Sequence, residues 1–404
     1  MQQYLKLISN NSSIKTLSSV QFLVYFGAWF SNVAIFTLLL DLGANAHTIA
    51  VVAMLQFLSG VIQAPFSGVV IDKFKPKKLL LILIAIEFFS TISLLAINTL
   101  ADLFLLYTLV VIKMAAASFY FTTEMSLLPK ILSKEDLKTA NELHSIIWSA
   151  SYTLGMTIGG FAVFYFGIKM AFVLDAFMFV VAFLLLLRLN ALVEQAVIKE
   201  SFFAMMRSTI RYVRSNKKIL HLMLLHAFVG LTVYDSLIAL MVDSFYAGVI
   251  ATSLAIGLLN AARAIGLVFG SSILSKFANE TTLHYIFIAQ GVAIYIWAMM
   301  IENFYLSLSA SVLVGLFTTT LWSYTYTMLQ NNTDPAFYGR IVAYNDMLFL
   351  LAASFASYIV GVLVAFGMSI KVVMLLFGSL FVIAGIYFVW VVKEFSIKGD
   401  RCDL

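Results

Sequence analysis

Four charged residues lie within long apolar stretches of the sequence, and they are its first candidates for chemistry. These residues are Lys113, Asp235, Arg263 and Glu87. An ionised side chain is costly to place among apolar groups, so such a residue usually binds a solute or an ion, or pairs with an opposite charge. Each of the four is therefore either a functional charge or half of an ion pair that holds two helices together.

Aromatic and amide side chains form a second set of candidates. Those that recur along one face of the first apolar stretch are Gln21, Tyr25, Trp29, Asn32 and Phe36. Trp322 and Tyr326 are four residues apart in a later stretch, at helical spacing. A mixed aromatic and amide lining suits a bulky amphipathic small molecule, while contact with lipid or simple packing is the alternative for each residue.

No catalytic or metal-binding pattern accompanies these residues. The sequence has no phosphate-binding loop, no nucleophile elbow and no cluster of histidine, cysteine and carboxylate side chains. Its one cysteine, Cys402, lies in the tail and cannot form an internal disulfide. We therefore expect no enzymatic activity, no cofactor and no bound metal, and any driving energy must come from a gradient.

The composition shows what surrounds the buried charges. Of 404 residues, 62% are hydrophobic and 11% are charged, whereas a soluble chain carries about 25% charged residues. Such a chain cannot cover a surface in water, so the hydrocarbon of a membrane must contact most of it. The net charge of +5 arises from loops on one side, and we expect no nucleic acid partner.

Twelve apolar runs are long enough to cross a bilayer, which takes about 20 residues in a helix. They lie at 18–40, 48–71, 79–98, 103–125, 142–165, 170–188, 219–242, 249–275, 282–301, 305–329, 341–366 and 370–392. The prediction is an all-α membrane protein with about 12 transmembrane helices in two parallel six-helix bundles. The bundles are expected at 1–188 and 219–404, with a cytoplasmic linker at 189–218.

Basic residues predict the orientation, and the linker predicts a lipid contact. With both termini in the cytoplasm, only Lys169 and Lys371 face outward and only Lys113 and Arg263 lie within spans, as the enrichment of basic residues in cytoplasmic loops requires. From 201 to 218 the sequence is amphipathic and basic, which is typical of a helix lying against anionic lipid headgroups.

The two halves of the sequence resemble each other. A Lys-Phe pair at 73–74 recurs at 276–277, and an Asn-acid pair at 141–142 recurs at 345–346, at offsets of 203 and 204 residues. An even number of spans in each half makes this a parallel repeat.

The loop after the second run carries a motif that consists of Gly68, Asp72, Lys73, Lys77 and Lys78. This pattern resembles the signature loop of the major facilitator superfamily, and the resemblance implies gating residues. Asp72 is then expected near the N-terminus of span eleven, around Gly339–Ile341, with Arg340 beside it. The alternative is that the basic residues only mark a cytoplasmic loop and have no gating role.

A glycine series in span five extends the resemblance. Gly155, Gly159 and Gly160 follow Ser151, and residues four apart share a helix face, so we expect close packing of another helix there. The series resembles the signature of export-type members. Together with Leu128–Lys130 and Gly339–Arg340 it resembles the bacterial enterobactin-exporter and macrolide-efflux branch, which implies export across the bacterial inner (plasma) membrane.

The resemblance also ranks the buried charges, because it places helices one, four, seven and ten around the cavity. It favours Lys113 and Asp235 over Glu87. The predicted proton-coupling or cavity charges are Asp235, Lys113, Arg263, Glu124 and Glu142. If Lys113 and Asp235 face one cavity, displacement of the lysine would invite a proton onto the aspartate. The alternative is that each is paired within its own half.

The function expected on this basis is proton-coupled export of a bulky amphipathic small molecule, of drug or siderophore type, by alternating access. The partners are then a small-molecule substrate, protons and membrane lipid, and the chain is expected to act as a monomer. Two alternatives stay open, a lipid or metabolite carrier not driven by protons and a non-transporting membrane sensor or scaffold.

Overall fold

The computed structural model describes residues 2–189, 202–232, 234–334 and 337–395. Within these ranges there are fifteen α-helices and no strand. The helices are α1 (Gln2–Asn10), α2 (Ser12–Asp41), α3 (Ala46–Lys73), α4 (Pro76–Ser93), α5 (Leu103–Ile131), α6 (Lys134–Phe166), α7 (Ile168–Leu186), α8 (Phe202–Ser215), α9 (Lys217–Val229), α10 (Asp235–Met241), α11 (Thr252–Ile273), α12 (Leu283–Met300), α13 (Phe304–Asn332), α14 (Tyr338–Ala365) and α15 (Ile370–Phe395).

Twelve segments of the described chain are helical, long and apolar enough to cross a membrane. They coincide with the twelve predicted runs, which confirms an all-α membrane protein with about twelve spans. The physical reason is that hydrocarbon offers no hydrogen-bond partners, so the backbone of each span must satisfy its own N–H and C=O groups in a helix.

Span seven differs from the single continuous helix that the sequence predicts. It runs from Lys217 to Tyr246 but consists of α9, a 3₁₀ turn at Gly230–Thr232, and α10. A Cβ added to Gly230 would lie 2.6 Å from the Phe349 carbonyl oxygen of α14. Glycine therefore lets the two backbones approach closely at the point where the helix is interrupted.

Contacts divide the chain into two compact units. Unit 1 is drawn from Met1–Ala44, Leu58–Lys199 and Ala251–Leu258, and unit 2 from Asn45–Phe57, Glu200–Ile250 and Leu259–Leu404. The first part of α3 thus belongs to unit 2, and the first turns of α11 belong to unit 1. Residues 190–201 of the predicted linker, and Cys402, lie outside the described residues.

In unit 1 the predicted glycine series packs α6 against α2. A Cβ on Gly155 would lie 2.8 Å from the Phe26 carbonyl oxygen, and one on Gly159 would lie 2.7 Å from the Phe30 carbonyl oxygen. Gly160 points elsewhere, because a Cβ there would lie 3.1 Å from the Gly257 Cα atom. The series therefore serves two helix contacts, with α2 and with the first turns of α11.

Unit 2 contains a matching contact, as expected of an internal repeat. A Cβ on Gly361 of α14 would lie 2.5 Å from the Ala46 carbonyl oxygen and 2.1 Å from the Ala50 Cβ atom, both in the first part of α3. The Ser354 hydroxyl, two turns earlier, donates to the Met54 carbonyl oxygen at 3.1 Å. The fifth and eleventh spans therefore each bring a glycine against a neighbouring backbone.

Within unit 2, helix α8 packs against the loop between α13 and α14. The Tyr212 ring stacks on Phe337, with ring centroids 4.3 Å apart, and its hydroxyl accepts a hydrogen bond from the Asp334 backbone N–H at 3.0 Å. Arg340 Nη1 donates to the Ser208 hydroxyl at 3.2 Å. The basic residues Arg207, Arg211 and Arg214 are exposed.

Candidate functional site

Glu124 is the centre of a buried polar site within unit 1. Its side chain, on α5, is 2% exposed, and Oε2 accepts a hydrogen bond from the Tyr25 hydroxyl of α2 at 3.4 Å. The Nδ1 atom of His144, on α6, lies 3.9 Å from the same oxygen. Three helices thus place a carboxyl group, a phenol and an imidazole together in the interior of one unit.

The tautomer of His144 follows from its contact with Gln21. The Gln21 amide nitrogen donates to the His144 carbonyl oxygen at 3.1 Å, an atom that can only accept, and it lies 2.9 Å from His144 Nδ1. Nδ1 must then accept, so the ring is the neutral form with its proton on Nε2. The contact between Glu124 and His144 is therefore not an ion pair, and Glu124 has no counter-charge among the described residues.

A small cavity reaches this site. It has room for about one water, roughly 10 Å³. The polar groups on its wall are Ser18, Gln21, Glu124 and His144, and the rest of the wall is aliphatic. A water-sized space beside a buried carboxyl group is suited to taking up or releasing a proton.

Lys113 lies in a second buried cluster of unit 1, where its partner is an aspartate of α7. Its Nζ atom is 2.8 Å from Asp175 Oδ2, and it donates to the Thr91 hydroxyl of α4 at 2.6 Å. The ammonium also lies 4.7 Å from the centre of the Phe179 ring. The structure thus pairs Lys113 within its own half.

Asp175 was missing from the predicted charges, although the same rule would have found it. It lies in the run at 170–188 with apolar neighbours on both sides, and it is fully buried. A Cβ on Gly27 of α2 would lie 2.2 Å from Asp175 Oδ1. A glycine is therefore needed opposite the ion pair, a requirement that no local pattern reveals.

Asp235 and Arg263 lie at the interruption of span seven, within unit 2. Asp235 is 6% exposed and is the first residue of α10. Arg263 Nη1 donates to the Thr232 carbonyl oxygen at 3.1 Å, and Nη2 donates to Asn260 Oδ1 at 3.4 Å. Because the helix is interrupted, this carbonyl is available to a side chain, and the guanidinium binds it.

Sequence analysis also did not select Tyr234, which lies next to the interruption. The Tyr234 ring lies 5.6 Å from the Arg263 guanidinium, and its hydroxyl accepts from Gln290 Nε2 at 3.3 Å. Trp297 packs edge-on against Tyr234 at 5.5 Å and donates from Nε1 to the Ser307 hydroxyl at 2.7 Å. These contacts join α10, α11, α12 and α13 in one polar network.

The aromatic candidates fall into two groups, one in each unit. In unit 1 the Trp29 ring packs edge-on against Tyr152 and Trp148, at 4.7 and 6.0 Å. In unit 2 the rings of Trp322 and Tyr326 stack at 5.3 Å. Asn32 and Phe36, by contrast, are buried, at 4% and 1% exposure.

His226 contacts the aromatic group of unit 2. Its ring lies within 6 Å of Trp322, Tyr326 and Phe349, and Nδ1 lies 2.9 Å from the Thr325 hydroxyl. That hydroxyl donates its proton to the Leu321 carbonyl oxygen at 2.7 Å, so it accepts from His226 Nδ1–H. Sequence analysis did not select this histidine for the site.

The remaining predicted residues lie apart from these clusters. Glu142 is half-buried and accepts from the Tyr4 hydroxyl of α1 at 3.0 Å. Lys77 donates to the Leu187 carbonyl oxygen at the end of α7, at 2.7 Å, and Lys73 is exposed. Gly68 and Asp72 lie in α3, but the surroundings of their side chains are outside the described part of the chain.

The comparison with protein families decides the identity of the fold. The model of the Major Facilitator Superfamily matches residues 17–298. The chain belongs to the major facilitator superfamily. The predicted superfamily is thereby confirmed, and the twelve spans carry a transporter-type fold. No curated protein matches the sequence.

Solved structures agree with this assignment. The POT family transporter PepTSo superposes with a TM-score of 0.78 at 12% identity, covering 96% of this chain and 99% of that one. The nucleoside transporter NupG gives 0.72 at 14% identity, covering 97% and 100%. A bacterial homologue of the human lysosomal transporter Spinster gives 0.72 at 12% identity, covering 96% and 98%. At these identities the likeness shows the superfamily fold alone.

Proposed function

We propose that the protein is a proton-coupled secondary transporter that exports a bulky amphipathic small molecule by alternating access, with Glu124 as its proton carrier. The observation that supports this most directly is a buried Glu124 that has no counter-charge and borders a water-sized cavity. A carboxylate in such a place is costly, so in this conformation Glu124 holds a proton. When water enters the cavity, it can solvate the Glu124 carboxylate, so the proton can leave.

Neighbouring side chains are arranged to assist this exchange. The Tyr25 hydroxyl donates to Glu124 and so stabilises its ionised form once the proton has left. Neutral His144 can form an ion pair with Glu124 only if its Nδ1 atom takes up a proton, which would break the hydrogen bond that Nδ1 accepts from Gln21. Proton release from Glu124 is thereby linked to rearrangement of α2 and α6, and hence to the facing state of the carrier.

The preference for an amphipathic solute is supported by the two aromatic groups. Trp148 and Trp322 are 39% and 43% exposed, so each unit presents indole surface beside polar groups. Such surfaces suit a planar or greasy solute with a polar end. Export, and the enterobactin-exporter and macrolide-efflux type in particular, is supported by the motif resemblance alone.

The second candidate is a metabolite carrier that does not use protons. It is favoured by the fold neighbours, which include the nucleoside transporter NupG and a POT family peptide transporter. The two candidates differ in their response to a pH gradient and to the solute offered. A panel of ethidium, uridine and dialanine therefore separates them.

The deciding experiment uses everted membrane vesicles that contain the full chain. An acid-inside gradient should drive accumulation of ethidium in wild-type vesicles and not in vesicles without the protein. Glu124→Gln should lose this accumulation while retaining saturable ethidium binding. The matched control is Glu302→Gln, since Glu302 is exposed between α12 and α13. Accumulation of uridine or dialanine without a gradient, or normal pumping by Glu124→Gln, would refute the proposal.

A further inference from the structure

Glu87 is a buried carboxyl group of unit 1 that, unlike Glu124, has no hydrogen bond among the described residues. It lies on α4 with no exposed surface, and neither of its carboxyl oxygens has a hydrogen-bond partner among the described residues. An ionised, unpartnered carboxylate at membrane depth is costly, because hydrocarbon offers it neither solvation nor hydrogen bonds. The side chain must therefore be compensated by an ion, a proton or a movement of its neighbours.

The charged neighbours of Glu87 already satisfy one another. Lys113 and Asp175 are both within electrostatic range of it, but Lys113 is bound to Asp175 at 2.8 Å and to Thr91 at 2.6 Å. With this pair intact the cluster is neutral only if Glu87 carries a proton. Ionised Glu87 would leave one net negative charge in the interior of the unit, with no second cation to balance it.

Glu87 and Glu124 share electrostatic interactions with two tyrosines. Lys113, Tyr120 and Glu124 are seven and four residues apart on α5, so they share one face of the helix. Tyr25 and Tyr120 both lie within electrostatic range of Glu87 and of Glu124, and their rings meet edge-on at 6.2 Å. The Tyr120 hydroxyl is buried and has no hydrogen-bond partner among the described residues.

The titratable groups within electrostatic range of Glu87 are therefore Lys113 and Tyr120 from α5, Asp175 from α7 and Tyr25 from α2. We propose that Glu87 is a second proton-binding site of unit 1, in addition to Glu124. Unit 1 can then hold two protons at once, one at each acid, with Glu87 neutral beside the intact Lys113–Asp175 pair. The role of Glu124 rests on the proposed function, whereas the proton on Glu87 does not.

Infrared difference spectroscopy of the full chain in lipid vesicles tests the site directly. At neutral pH we expect a C=O stretching band of a protonated carboxyl group in apolar surroundings, and loss of one component of it in Glu87→Gln. Glu302→Gln is the control and should leave the band unchanged. A band that keeps all its components in Glu87→Gln would overturn the proposal.

The two proposals fail separately in this design. If Glu124→Gln pumps normally while Glu87→Gln still removes its band component, the proposed function fails and the proton on Glu87 stands. If pumping depends on Glu124 and the Glu87 component is absent, the second site fails alone.

Discussion

At the scale of single residues, the central feature is a buried lysine whose charge is already paired with an aspartate. Lys113 is bound by Asp175 and Thr91 and packs over the Phe179 ring. Its position therefore corresponds to the alternative in which each membrane charge is paired within its own half. A coupling charge at Lys113 would first have to break a buried ion pair, which makes Glu124 the simpler proton carrier.

A double substitution can test the structural role of this pair. Lys113→Gln leaves Asp175 buried without its cation, and breaking such a pair costs about 3–5 kcal/mol. We expect a clear fall in the unfolding temperature of the detergent-solubilised protein. The double variant Lys113→Gln with Asp175→Asn removes both charges and should recover most of the loss. Equal destabilisation by the single and double variants would show that the charges do not act as a pair.

At the scale of helices, close packing of α6 on α2 depends on glycines, which have no side chain. A Cβ at Gly159 would lie 2.7 Å from a carbonyl oxygen of α2, a distance that real Cβ atoms do not tolerate, and the contact is with backbone, which cannot rotate away. The two helices must therefore separate if Gly159 is replaced. This local requirement explains why the glycine series is spaced by four residues.

Gly159→Ala should accordingly destabilise the protein, by about 1–3 kcal/mol as for other overpacked interiors. Gly339→Ala is the matched control, because a Cβ there meets no atom within 4 Å. The measurement is thermal unfolding of both variants in the same detergent. A Gly159→Ala protein as stable as the control would mean that α2 and α6 are not held as closely as described.

At the scale of the whole molecule, the distribution of basic residues predicts which side each loop faces. In a Cys402→Ser background, Lys75→Cys should resist a membrane-impermeant maleimide in intact cells, and Lys371→Cys should react with it. The reason is that the loop with Lys75 is rich in lysine, which is typical of the cytoplasmic side. Labelling of Lys75→Cys from outside would reverse the proposed topology.

The gating hypothesis for Asp72 belongs to the same scale. An aspartate near a helix N-terminus gains about 0.3–1 kcal/mol, so Asp72→Asn should weaken the closed cytoplasmic side and favour the inward-facing state. Accessibility of cysteines placed on the two sides measures the change. Lys130→Gln, which neutralises another exposed charge, is the control. Identical accessibility in Asp72→Asn and in the control would refute the gating role.

Features that depend on local chemistry could be determined from the sequence by itself. The twelve spans follow from apolar length, because hydrocarbon excludes an unsatisfied backbone. The close approach at Gly155 and Gly159 follows from their spacing on one helix face. The burial of Lys113 follows from its apolar neighbours along the chain.

Only the tertiary structure decided which of these groups meet. Lys113 and Asp175 are 62 residues apart, and Gly27 of a third helix leaves space beside their ion pair. Span seven is interrupted where Gly230 lies against the backbone of α14, far away in the sequence. Pairing and interruption are properties of packed surfaces from several helices, whereas periodicity and hydropathy describe one helix at a time.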